Sequence, residues 1–152
     1  MAENELLQPS LDSDKGAATS IYSTTTGYMA AFFGGPLGGA VIALLNSHRL
    51  RRLAVDWPLG VVALAITTGT LWWEVRSGGT RWLVENLGPS GPRVAVRIMG
   101  LAMFGIVYLA HGKYYRNMSL FGLKPPSGWV PGIAAIVGGT LAMMGIAMLL
   151  AP

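Results

Sequence analysis

The chain has 152 residues, 52% of them hydrophobic and 12% charged, with 21 glycines, no cysteine and a formal net charge of +4. Soluble domains carry roughly a quarter of their residues as charged side chains, so this composition excludes an ordinary water-soluble domain. The missing cysteines exclude disulfides, thiolate metal sites and cysteine nucleophiles. The surplus positive charge does not point to nucleic acid, because it lies in short segments beside apolar runs, where membrane topology accounts for it.

Residues 1–27 read as a polar, acidic tail, with Glu3, Glu5, Asp12 and Asp14 against Lys15. A secretory signal would open on positive charge and an early apolar core, so none is expected here. Residues 28–152 then form one membrane domain with four apolar stretches, at about 28–45, 57–73, 94–110 and 129–151. At about 1.5 Å rise per residue, crossing about 30 Å of hydrocarbon takes roughly 17 to 25 residues, and all four stretches fit.

The first stretch follows Ser23-Thr24-Thr25-Thr26, which offers helix caps, and contains Gly34-Gly35-Pro36-Leu37-Gly38-Gly39. Gly34 with Gly38 and Gly35 with Gly39 are overlapping small-xxx-small pairs, which let another backbone approach closely. Pro36 removes a helical hydrogen bond, so a kinked packing helix is expected. A discontinuous helix lining a substrate site is the sharper alternative, and it requires a matching break elsewhere. Arg49, Arg51 and Arg52 close this stretch.

Trp57 and Trp72-Trp73 bracket the second stretch at headgroup level, and Pro58 falls in its first turn. Arg81 to Leu87 reads as a short amphipathic turn lying in the interface, broken by Gly88-Pro89-Ser90-Gly91-Pro92. Arg97, just inside the third stretch, is expected to snorkel to water, with an ion pair to Glu74 or Glu85 as the alternative. The following linker is basic and aromatic, with Lys113, Tyr114, Tyr115, Arg116 and Lys124. Arg49, Arg51, Arg52, Lys113, Arg116 and Lys124 are therefore expected at anionic headgroups. The fourth stretch carries small residues including Gly138, Gly139 and Ala142, and its methionines read as filler.

Four crossings place the two basic linkers on one side, six cations against five, and leave both termini on the other. The positive-inside rule then puts the linkers in the cytoplasm and both termini outside. Trp57 to Ala63 resembles Trp129 to Ala135, and each copy later reaches Gly-Thr-Leu, at residues 69–71 and 139–141. Two tandem helical hairpins are one explanation. Chance similarity among Gly/Ala/Val-rich helices is the other.

His48 and His111 end the first and third stretches. Paired imidazoles ligate haem or metal between helices in some proteins, but both sit at the boundary beside basic residues, where an interfacial histidine is ordinary. No catalytic constellation, metal set or cofactor motif emerges, and no carboxylate lies deep within a stretch.

Tyr22-Ser23, the run Ala30-Ala31-Phe32-Phe33-Gly34-Gly35-Pro36-Leu37-Gly38-Gly39, and then Asn46 and Leu50 resemble small, uncharacterised bacterial inner-membrane proteins. The first helix of those proteins carries a Phe-Leu-Gly-Gly-Pro-Leu-Ala-like run, followed by Asn and a basic stretch. Gly122, Lys124, Ser127 and Trp129 resemble their approach to a late helix. This chain departs in Gly38-Gly39 after Leu37 and in the arginines from Arg49 to Arg52. The resemblance implies a bacterial multi-span protein and brings no activity.

The expected architecture is thus an all-α integral membrane protein, a bundle of four transmembrane helices. The expected role is a non-enzymatic accessory subunit of a larger membrane complex, packing through Gly34, Gly35, Pro36, Gly38, Gly39, Gly138, Gly139 and Ala142. A small oligomeric transporter or channel, with Pro36 at its gate, is the rival. The expected partners are the lipid bilayer and other membrane subunits or further copies of the chain.

Overall fold

The computed structural model describes residues 20–120, 122 and 124–151. Most of the expected acidic tail, residues 1–19, lies outside the described residues. The chain is all α among the described residues: α1 (Thr24–Arg49), α2 (Leu53–Arg76), α3 (Gly79–Leu87), α4 (Gly91–Leu120) and α5 (Trp129–Leu150). Four of these, α1, α2, α4 and α5, are long and apolar enough to cross a membrane. The protein is an integral membrane protein.

The first of the four does not run straight. Gly35 has φ 64° and ψ −162°, which breaks the helix. Only glycine tolerates that region without strain. Pro36 then opens the second half, where its missing N–H is no loss and its fixed φ suits a helix start. The two halves, residues 24–34 and 36–49, fold back on each other. The backbone N–H of Tyr22 donates to Asn46 Oδ1 at 2.8 Å, and Arg49 Nε donates to the carbonyl of Ser20 at 2.8 Å. An unbroken helix would separate Tyr22 from Asn46 by about 36 Å. α1 is therefore a helical hairpin that enters and leaves at one end of the bundle.

Glycine makes the hairpin tight. A Cβ on Gly39 would stand 2.9 Å from that of Ala31, and one on Gly38 would strike the carbonyl of Ala30. The other helices wrap the hairpin. Gly139 of α5 fits against it, since a Cβ there would lie 2.6 Å from the oxygen of Gly34 and 2.8 Å from the nitrogen of Gly38. On α4, Gly100 meets Ala31 and Gly35, and the Phe104 ring covers Gly27. Along α2, Gly60 lies under Leu44, while Ala63 packs with Ala40 and Met103. Such close approaches of small residues supply the packing that hydrophobicity cannot supply between helices in lipid.

The tip of the hairpin sits inside the bundle. Pro36, Thr67, Thr70, Val96, Met99 and Met143 surround a void of about 10 Å3 there. Thr67 and Thr70 return their hydroxyls to the carbonyls of Ala63 and Ile66, so the polar groups beside the tip are satisfied locally.

The fold-back changes where the ends of the chain fall. A helix that crosses once would leave residue 20 and residue 151 at the same end; the hairpin puts them at opposite ends. Ser20 is bonded to Arg49, while the carbonyl of Leu150 accepts from Arg76 Nε at 2.8 Å, at the far end of α2. α4 continues for 30 residues without the break that α1 carries, so the first members of the two possible hairpins differ in shape.

At the far end, the amphipathic segment is a full helix, α3, with Leu83 buried and Trp82 tilted against Trp73 at 6.1 Å. Arg97 pairs with neither expected carboxylate. Its guanidinium lies 4.7 Å from the centroid of the Phe32 ring, and Glu85 is bonded to Arg81 at 2.7 Å.

Candidate functional site

The fold gathers polar side chains where the hairpin opens. Asn46 and Ser47 come from the end of α1, Asp56 from the first turn of α2, and His111 and Tyr115 from one face of α4. All are buried, with His111 only 3% exposed and Asp56 8%. Buried ionisable groups are rare in membrane proteins unless they are paired, so this cluster is the strongest candidate site in the chain.

His111 Nε2 lies 3.0 Å from Asp56 Oδ2, which ties α4 to α2. A carboxylate accepts there only if Nε2 carries the proton, so the geometry selects the Nε2–H tautomer or the imidazolium. Arg52 Nη2 stands 3.9 Å from the other carboxylate oxygen, and Arg52 Nη1 donates to the Tyr114 hydroxyl at 2.5 Å. Asp56 also sits in the first turn of its helix, where a negative charge suits the dipole.

Asn46 closes the hairpin beside this pair. Its Oδ1 accepts from the N–H of Tyr22, while its Nδ2 donates to the Tyr22 carbonyl at 3.4 Å and to the Tyr115 hydroxyl at 3.1 Å. One side-chain amide thus joins the chain entering α1, the end of α1, and α4. Tyr28, Tyr108 and Tyr115 continue as an aromatic file between the hairpin and α4, with Tyr108 and Tyr115 centroids 5.3 Å apart. The arrangement can hold a proton between imidazole and carboxylate, and it clamps three helices and the hairpin's open end.

The opposite end of α2 is built differently. Glu74 is 8% exposed, yet its Oε1 has no hydrogen-bond partner among the described residues. No group of three or more His, Asp or Glu side chains that could hold a metal ion occurs among them either.

The expected interfacial cations share the basic end with this cluster. Arg49 lies over the Tyr22 ring at 5.2 Å, Lys113 over Tyr114 at 5.3 Å, and Arg51, Arg116 and Lys124 are exposed. Of the expected packing residues, Gly34, Gly35, Pro36, Gly38, Gly39 and Gly139 are buried within the chain. Gly138 and Ala142 face outward, with nothing within 4 Å of a Cβ at Gly138. His48 is exposed and His111 buried, so the two histidines do not meet as a ligand pair.

Sequence reasoning did not single out Asn46, Asp56 and Tyr115 as site residues. The available signal was His111 followed one helical turn later by Tyr115, which places both on one face. The chain matches no protein-family model, no curated protein and no solved structure.

Proposed function

We propose that the chain is a non-enzymatic accessory subunit that docks on other membrane helices through the outer face of α5. The observation that carries this reading is the division of small residues on that helix. Gly132, Ala135 and Gly139 are buried inward, whereas Ala134, Gly138, Ala142 and Gly145 face outward at helical spacing. Nothing lies within 4 Å of a Cβ at Gly138 or Gly145. Small residues at that spacing admit a partner helix at close range. The surface differs from the one expected, because Gly34, Gly38 and Gly139 are already used on one another.

The test is a mild-detergent pull-down of the tagged chain, with and without Gly138→Leu and Ala142→Leu together. A stoichiometric set of membrane subunits, lost from the double variant, is the expected result. Recovery of the same subunits with both leucines in place would sink the proposal.

A small transporter or channel is the second reading, favoured by the broken hairpin in the bundle and by the buried acids Asp56 and Glu74. Solute or proton flux in liposomes containing only this chain would support it over the accessory role.

The resemblance to bacterial inner-membrane proteins supports a cytoplasmic-membrane location. Among the described residues, six cations (Arg49, Arg51, Arg52, Lys113, Arg116, Lys124) lie at the hairpin's open end and four (Arg76, Arg81, Arg93, Arg97) toward the other. Lys15, outside the described residues, joins the second group only if α1 crosses. The positive-inside rule then favours a basic end in the cytoplasm, with residue 20 inside and residue 151 outside. The chain has no native cysteine. Cysteines introduced at Ser20 and Ala151 therefore report cleanly to an impermeant maleimide on intact cells. Labelling at Ala151 alone is expected; labelling at both positions would refute this topology.

A further inference from the structure

Beside the first half of α1, a groove of about 590 Å3 runs along α5. Hydroxyls of Ser23, Thr25 and Ser127 line one part, and Met29, Phe33 and Ile133 line another. The hydroxyl part belongs to the basic end, where Ser23 starts α1 and Ser127 precedes α5. The apolar part follows both helices away from that end, along exposed Met29, Phe33 and Ile133. The groove therefore changes from polar to apolar in the direction a lipid does when it enters a bilayer.

Its mouth favours negative charge. α1 and α5 start side by side, since the Thr26 side chain fills the space beside Gly128 and lies 3.3 Å from where a Cβ on Gly132 would stand. Two parallel helices thus bring their positive ends together, which an anion between them relieves. Ser23 caps the start of α1 by accepting from the N–H of Thr26 at 3.2 Å. No side chain caps α5, so the N–H groups of Trp129 and Val130 stand there without a side-chain acceptor, and Pro131 has none to offer. Arg49, bonded to Ser20 three residues before Ser23, and Lys124, three residues before Ser127, add fixed positive charge at this end. Basic sites between membrane helices on the cytoplasmic side are where anionic head groups bind.

We propose that this groove holds one anionic phospholipid from the basic-side leaflet. Its phosphate sits at the paired helix starts, and one acyl chain lies along Met29, Phe33 and Ile133. The proposal stands apart from the accessory role, because it needs no protein partner.

The experiment is native mass spectrometry of the full chain released from detergent micelles. The added lipids are phosphatidylglycerol and phosphatidylcholine of matched acyl chains. One phosphatidylglycerol per chain is expected, preferred roughly tenfold over phosphatidylcholine. Met29→Trp and Ile133→Trp both fill the groove from exposed positions, and each should lower that occupancy about tenfold. Ile98→Trp, on an exposed face of α4 outside the groove, should leave it unchanged. Two groove variants are used so that a folding failure of one, read from its melting curve, leaves the other to decide. Equal uptake of the two lipids, unsaturating uptake of several anionic lipids, or occupancy unmoved by either tryptophan would overturn the site. Displacement by inorganic phosphate as effective as by the lipid would overturn the acyl-chain half of the assignment.

Discussion

α1 and α5 look alike by length and apolarity, and they are used in opposite ways. In α1, 56% of the most apolar window is buried in protein, against 11% in α5. α1 folds back at Gly35 and becomes the centre around which the others pack, while α5 runs unbroken along the outside. The difference comes from where glycine falls. In α1 the glycines cluster at the midpoint, where Gly35 takes a positive φ, Gly38 and Gly39 let two half-helices touch, and Gly34 lies against α5. In α5 they divide between two faces of a regular helix. Hydropathy reports the solvent around a segment, and small residues report which backbones meet.

The comparison is broken most directly at Gly139. A Cβ there meets backbone atoms of Gly34 and Gly38, which cannot rotate aside as a side chain would. Gly139→Leu should cost about 3 kcal/mol or more, at the upper end for overpacking. It should be read as a large fall in melting temperature in detergent. An unchanged melting curve would mean that α5 does not pack on the hairpin in this way.

His111→Ala should come next. It leaves Asp56 buried without its closest partner, but Arg52 still stands 3.9 Å from the carboxylate, so the loss should fall below the roughly 3 to 5 kcal/mol of a fully broken buried pair. The double variant Asp56→Leu with His111→Leu should lose less than the single one, since no unpaired charge remains. If both histidine variants melt with the parent protein, the pair is not what clamps α2 to α4.

The sequence carried the solvent and the number of membrane-length helices, because these follow from composition summed over long windows. The hairpin leaves a fainter mark. Gly34-Gly35-Pro36 stands at the midpoint of the first stretch, and pieces of about 10 to 14 residues are more typical of re-entrant segments than of spans. A kink and a reversal leave the same local mark. What separates them is the bond that the Tyr22 N–H donates to Asn46 Oδ1, which only the folded chain creates. Asp56 and His111 were hidden for a related reason. Each alone is an ordinary boundary residue, and their pairing across 55 positions depends on how α2 and α4 lie side by side. The division of Gly138 from Gly139 was equally invisible, because neighbouring residues on a helix point about 100° apart and only packing decides which faces inward.

Gly35→Ala tests the reversal itself at smaller cost. The combination of φ 64° and ψ −162° should make alanine about 1 to 3 kcal/mol worse, and the side chain of Met143, whose sulfur would lie 2.8 Å from the new Cβ, must shift as well. If Gly35→Ala leaves stability unchanged, a straight α1 becomes the better description, and Ser20 should then label from outside.

The smallest effect on the chain alone is expected at Gly138. It is the immediate neighbour of Gly139 and has the same chemistry, yet a Cβ there meets nothing within 4 Å. Gly138→Leu should therefore leave the stability of the purified chain, read from its melting curve, within about 0.5 kcal/mol of the parent, as for other outward positions. Leucine is also a better helix former than glycine, which offsets part of any local cost. The pair of adjacent variants then forms an internal control. Gly139→Leu damages the fold wherever it is measured, whereas Gly138→Leu changes only what the chain binds. A Gly138→Leu chain that is as unstable as Gly139→Leu would mean that both glycines serve the inside, and it would remove the outer face of α5 as a docking surface.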